Sequence, residues 1–150
     1  MRILTVEEKV YRYKQQLAKL KKEISGLKNE IEKYKKQQEK AENIISDVES
    51  NLKMLNEVIN GFHNRMNMVE KQFDGNFGKF YRKEMDGIFK RSGLYDVENM
   101  GHNDNRSLKN TILDIDEKID SCYKRISGKE AEISVLKMKI AQLENQIKKG

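Results

Sequence analysis

Residues 6–73 read VEEKVYRYKQQLAKLKKEISGLKNEIEKYKKQQEKAENIISDVESNLKMLNEVINGFHNRMNMVEKQF, and their periodicity decides the fold. Apolar residues recur at alternating steps of four and three from Val6 and Val10 through Tyr13, Leu17, Leu20, Ile24, Leu27, Ile31 and Tyr34. The ladder resumes at Ala41 and runs through Ile45, Val48, Leu52, Leu55, Ile59, Phe62, Met66 and Val69 to Phe73. Gln38 is its only polar rung. Such a heptad repeat puts one apolar stripe along a helix, and the stripe requires a partner helix.

A second ladder begins at Leu108. It continues through Ile112, Ile115, Ile119, Cys122, Ile126, Lys129, Ile133, Leu136, Ile140, Leu143 and Ile147, with Lys129 its only polar rung. Between the ladders, Phe73-Asp-Gly-Asn-Phe-Gly breaks the phase. Gly75 permits the backbone angles of a tight turn, and Asp74 or Asn76 can cap the helix that follows. Phe77, Phe80, Tyr81, Ile88 and Phe89 suggest one broad apolar face on that shorter helix, which Ser92-Gly93 would end. Residues 94–106 (LYDVENMGHNDNR) show no apolar period and are rich in Asn, Asp and Gly, which marks an irregular loop.

The expected architecture is all-α, a single elongated unit over residues 1–150. It comprises a helix over 5–73 opened by a Thr5–Glu8 capping box, a turn at 74–76 and a helix over 76–91. A loop over 92–106 and a helix over 107–149 complete it. An antiparallel coiled-coil hairpin is the economical arrangement, because one chain then supplies both halves of its seam. If the loop bulges out, Gln38 faces Lys129, and this polar layer would set the register. In that register Val6, Val10, Tyr13 and Leu17 have no intrachain partner and form an overhang for docking.

Composition narrows the function. With 36% charged residues, 7% aromatics and no Trp or Pro, a large globular core is excluded, while the sustained heptads exclude disorder. The net charge of +6 arises from interleaved Lys, Arg, Asp and Glu, which is the pattern of a solvated helix surface. Lysine pairs without interleaved aromatics or a reading motif argue against nucleic acid. No run approaches membrane-spanning length and no signal-peptide core precedes the first acidic residues, so a cytoplasmic chain without membrane insertion is expected. Cys122 stands alone and on the seam, as a small buried residue.

Catalytic, cofactor and metal chemistry are not written here. His63 and His102 lack a second His or Cys at ligand spacing. The stretch from Asp96 to Asp104 fails as a calcium loop, because Met100 takes a ligand position and Ser107 the closing one. The expectation is a non-enzymatic chain without cofactor or metal.

A long helix, then Phe73-x-Gly75-x-Phe77-Gly78-x-x-Tyr81, then a further long heptad helix resembles the YwqH-like small helical proteins that accompany LXG toxins of the type VII secretion system, relatives of the WXG hairpins. Phe73 stands where a WXG protein has tryptophan. No tyrosine is followed four residues later by Asp or Glu, so the export signal of that system is missing. The resemblance implies an accessory or targeting partner of a larger secreted LXG-type protein, held in the cytoplasm or exported with that partner. Val6, Val10, Tyr13, Leu17, Phe73, Gly75, Phe77 and Tyr81 are the expected partner-binding residues. The alternative is a self-associating structural coiled coil, a homodimer or larger scaffold, which Ile at one register and Leu at the other would suit.

Overall fold

The structure is a computed structural model and describes residues 4–73 and 75–149. It is all-α, with α1 over Val6–Gln72, α2 over Asn76–Arg91 and α3 over Leu94–Lys149. Among the described residues there is no strand. Two compact units divide the chain. One joins α1 up to Gln38 with α3 from Asp114; the other is Glu39–Leu113 and holds the rest of α1, all of α2 and the start of α3.

α1 starts where the capping signal predicts. The Glu8 amide donates to Thr5 Oγ1 (3.2 Å) and the Lys9 amide to the Thr5 carbonyl (3.1 Å), so two donors of the first turn are satisfied. Proline is absent from the chain, and the solvent face is built largely from Lys, Glu and Gln, which sustain a helix.

In the first unit, Ile24, Leu27 and Ile31 of α1 and Ile115, Ile119, Cys122 and Ile126 of α3 form one buried cluster, flanked by Tyr34 and Ile133. Each such side chain removed from water contributes about 1.5–3 kcal/mol against chain entropy. Polar contacts fix which residues meet. Lys14 pairs with Glu144 (3.0 Å), Glu23 with Lys129 (2.7 Å) and Gln38 Nε2 donates to Asp116 Oδ1 (2.5 Å), so numbers on α3 fall as those on α1 rise.

This register differs from the expected one. Lys129 meets Glu23, and Gln38 does not face it. The cause is the stretch 92–106, which is not an irregular loop: only Ser92 and Gly93 separate the helices, and α3 begins at Leu94 rather than near 107. Ser92 donates through its amide (3.1 Å) and its hydroxyl (2.5 Å) to the Phe89 carbonyl. Gly93 takes φ +80°, a conformation open to glycine, and the Leu94 amide donates to Ser92 Oγ (3.3 Å). With no loop to bulge out, α3 pairs two heptads further along α1 than a looped connection would allow.

In the second unit α2 packs on α1 and α3 through Phe89, which is buried. Its ring stacks on Phe62 at 4.4 Å between centroids and meets Tyr95 edge-on at 5.1 Å. The His63 ring nitrogen Nε2 and the Tyr95 hydroxyl share a hydrogen bond of 2.9 Å. Arg82 also ties α2 to Glu70 of α1.

Candidate functional site

The N-terminal seam is not an open strip. Val10 is buried, and Val6, Tyr13 and Leu17 are half-buried. The Lys139 ammonium lies 5.7 Å from the Tyr13 ring centroid, and the Lys14–Glu144 pair stands one residue away. The overhang expected of Val6, Val10, Tyr13 and Leu17 is therefore corrected: α3 runs beside these residues because it pairs further along α1 than a looped connection would permit.

Gln38 and Lys129 do not form one polar layer. Each is instead met by a carboxylate that flanks the seam of the other helix, Asp116 for Gln38 and Glu23 for Lys129. Meeting a buried or half-buried polar group in this way removes most of its desolvation cost. The hydrogen bond from Lys129 holds the Glu23 carboxyl below the usual carboxylate range; desolvation opposes it, and the charges of Lys129, Lys19 and Arg125 add to the lowering. Cys122 is buried as expected. Desolvation pushes its thiol pKa up, and Glu30, 3.8 Å from Sγ, pushes in the same direction.

The turn gives a different result. Gly75 takes φ +85° ahead of α2 and no side chain caps the helix there; Asp74, the other expected cap, lies outside the described residues. Gly78 packs so closely that a Cβ would stand 2.6 Å from the Phe73 carbonyl oxygen, which explains a glycine in a helix. The buried face of α2 runs Gly78, Tyr81, Met85, Phe89, with Tyr81 and Met85 half-buried. Phe77, Phe80 and Ile88, expected on the packed face, point to solvent, because the face is set by Gly78 and Phe89 rather than by the greatest number of aromatics. Phe73 and Phe77 meet at 5.2 Å between centroids and are 49% and 57% exposed; Phe80 is 62% exposed. Among the expected partner-binding residues, Phe73, Gly75 and Phe77 are thus exposed at one turn, Tyr81 is half-buried beside them, and the N-terminal four belong to the other unit.

One further feature was not readable as a site. The heptad phase of α3 extends back through Asn105, Gly101 and Glu98 to Leu94, so a polar interval occupies the seam of the second unit. Asn105 is 6% exposed and its Oδ1 has no hydrogen-bond partner. Gly101 lies against Leu52, whose Cδ2 would be 2.8 Å from an added Cβ. Beside them is an open cleft of about 800 Å³, lined by Leu52, Lys53, Asn56, Glu98, His102, Asn105 and Arg106, with the Glu49–Lys109 pair at its edge. The step pattern was present in the sequence, but its rungs are not apolar, which hid it.

Among the described residues no group of three or more His, Cys, Asp or Glu could hold a metal ion, and no helix is long and apolar enough to cross a membrane. Comparisons with protein-family models, with curated proteins and with solved structures found no match.

Proposed function

We propose that this chain is a non-enzymatic binding module, an antiparallel coiled-coil hairpin that docks another helical protein through the aromatic ridge of α2. The observation that carries this reading is the outward placement of Phe73, Phe77, Phe80 and Ile88 along one side of the turn and helix. Grouped exposed aromatics at a tight turn have no structural role that burial elsewhere would not serve better. They have the composition of an interface anchor.

The layout shared with YwqH-like proteins makes a larger secreted LXG-type helical protein the partner to test first, with this chain as its accessory or targeting subunit. Self-association along the ladders is disfavoured, since α3 already lies along the α1 seam in the first unit. Co-expression with a neighbouring LXG-type protein is expected to give a stable one-to-one complex. The variants Phe73→Ser, Phe77→Ser and Phe80→Ser should lower the yield of complex while leaving helicity unchanged. Failure of the wild-type chain to co-purify with any such protein defeats the reading.

A further inference from the structure

The first unit carries its excess of basic residues on one flank. On α1 the positions one residue before, and two after, the rungs Val10, Leu17, Ile24 and Ile31 fall on one side of the seam by helix geometry. The same positions around the isoleucine rungs of α3, Ile112 to Ile147, face them across it. Lys118 accordingly lies 6.0 Å from the Tyr34 ring centroid and Lys139 5.7 Å from that of Tyr13. Two shallow grooves follow this flank and meet at the Glu23–Lys129 pair. One, of about 590 Å³, is bordered by Gln16 and Lys19 of α1 and by Glu132, Val135 and Lys139 of α3. The other, of about 370 Å³, is bordered by Gly26, Glu30 and Arg125.

On this flank α1 places Lys9, Arg12, Lys19 and Lys33 against Glu23 and Glu30. α3 places Lys118, Arg125, Lys139 and Lys149 against Asp114 and Glu132. Basic residues thus outnumber acidic ones by eight to four, before Lys129 of the seam is counted. The opposite flank is neutral. There α1 has Lys14, Lys21, Lys28 and Lys35 with Glu7 and Glu32, and α3 has Lys137 and Lys148 with Asp116, Asp120, Glu130 and Glu144, six of each sign. The basic flank also holds two glycines inside long helices, Gly26 and Gly128, close in height because Glu23 and Lys129 pair beside them. A Cβ at either would meet nothing within 4 Å. Glycine weakens a helix relative to alanine, and no neighbour within the chain uses the space.

We infer that this basic flank is a second docking surface, for an amphipathic helix of another protein whose apolar stripe is bordered by Asp or Glu. Charge decides between occupants. A second copy docked by the same flank under two-fold symmetry would set the basic excess against itself. A phosphate backbone matches the charge but not the floor, which is formed by Leu20, Leu27 and Leu136, and no aromatic side chain lines either groove for a base to stack on. A helix with acidic margins meets Lys19, Arg125 and Lys139 with carboxylates, covers Val135, which is 50% exposed, and can approach closely at the two glycines. This inference rests on the binding-module reading; it adds a surface distinct from the aromatic ridge and states the charge of its partner.

The test uses the full chain and two fluorescent helical probes that share one Leu/Ile stripe, one bordered by Glu and the other by Lys, followed by anisotropy. The Glu-bordered probe should bind roughly tenfold tighter than its twin. Lys19→Gln/Arg125→Gln should remove most of that preference. Lys21→Gln/Lys28→Gln, which lowers the net charge equally on the neutral flank, should leave it unchanged. Gly26→Gln and Gly128→Gln, placed in open space, should each weaken the Glu-bordered probe several-fold without loss of helicity. Equal binding of the two probes, no binding of either, equal losses from the two double variants, or indifference to both glycine substitutions overturns the inference. So does a fluorescent oligonucleotide that binds tighter than the Glu-bordered probe, or a two-fold dimer that Gly128→Gln dissolves. If the captured LXG-type partner binds the Lys19→Gln/Arg125→Gln variant as it binds wild type, this surface is refuted and the binding-module reading stands. If wild type captures no helical partner, that reading itself fails, and the probe comparison still decides this surface.

Discussion

The two units are built from segments of the same helices and stabilised in different ways. In the first, every seam rung from Ile24 to Ile31 on α1 and from Ile115 to Ile126 on α3 is apolar and buried. In the second, α1 still presents Ile45, Ile59 and Met66 as buried rungs, but the seam phase of α3 carries Glu98, Gly101 and Asn105, with Gly101 against Leu52, and Phe89 of α2 stacks on Phe62. Charge divides in the same way. The excess of basic residues lies in the first unit, whereas acidic residues slightly outnumber basic ones between Glu39 and Leu113. A seam saturated with isoleucine closes on itself. Exposed apolar side chains occur on the outer faces of both units, Phe77, Phe80, Val58 and Val97 in the second and Tyr11, Val135 and Met138 in the first.

The largest expected effect breaks the first unit. Ile31 is 3% exposed at the centre of its cluster. Ile31→Ala should cost about 2–5 kcal/mol, read as a lower midpoint in urea; a loss under about 1 kcal/mol would mean that the cluster is loosely packed. The matching change in the second unit should have the opposite sign. Asn105→Leu removes a buried oxygen that lacks a donor, a group that costs about 1–3 kcal/mol, and should raise the midpoint. If it lowers stability, the carboxamide is satisfied and the contrast between the units is weaker than drawn.

Glycines sharpen the comparison. Gly128 has open space where a Cβ would go, so Gly128→Ala should stabilise by about 1 kcal/mol through helix propensity alone. Gly101→Ala should gain less than that, because its Cβ would displace Leu52. Equal gains at the two sites would contradict the close approach in the second unit. The smallest effect concerns pH. Because the folded state holds the Glu23 carboxyl below its ordinary value, the contribution of the Glu23–Lys129 pair is present above the unfolded carboxylate pKa of about 4.3. It is lost as pH falls through the lower folded value. Thermal scans from pH 7 to pH 3 should therefore show a slightly smaller decline for Glu23→Gln than for wild type.

The heptads of α1, the Thr5 cap, the glycine turn at Gly75 and the end of α2 at Ser92-Gly93 were all legible, because each rests on local chemistry. The start of α3 was not. Asn99, Asn103, Asp104 and Asn105 each weakly disfavour a helix, and Gly101 more so. Yet a segment without proline that continues into a strongly periodic helix needs no new nucleus, and packing overrides those small costs. That one error moved the register by two heptads and created an overhang at Val6, Val10, Tyr13 and Leu17. Of the candidate site, Phe73, Gly75 and Phe77 could be named from the motif. Phe80 and Ile88 were assigned to the packed face, because counting aromatics cannot show that Gly78 faces the backbone of α1. Which residues meet across the seam is not encoded in either ladder separately.

The most direct test of this account is the register. In a Cys122→Ser background, Glu23→Cys with Lys129→Cys should be joined within one chain by a short bismaleimide, giving a monomeric product confirmed by mass spectrometry. Gln38→Cys with Lys129→Cys should not, since fifteen helical residues separate Gln38 from Glu23, roughly 22 Å. Crosslinking of the Gln38 pair, or products that are dimers between chains, would contradict the account. The first outcome would return residues 92–106 to a loop, and the second would make the ladders a seam between molecules.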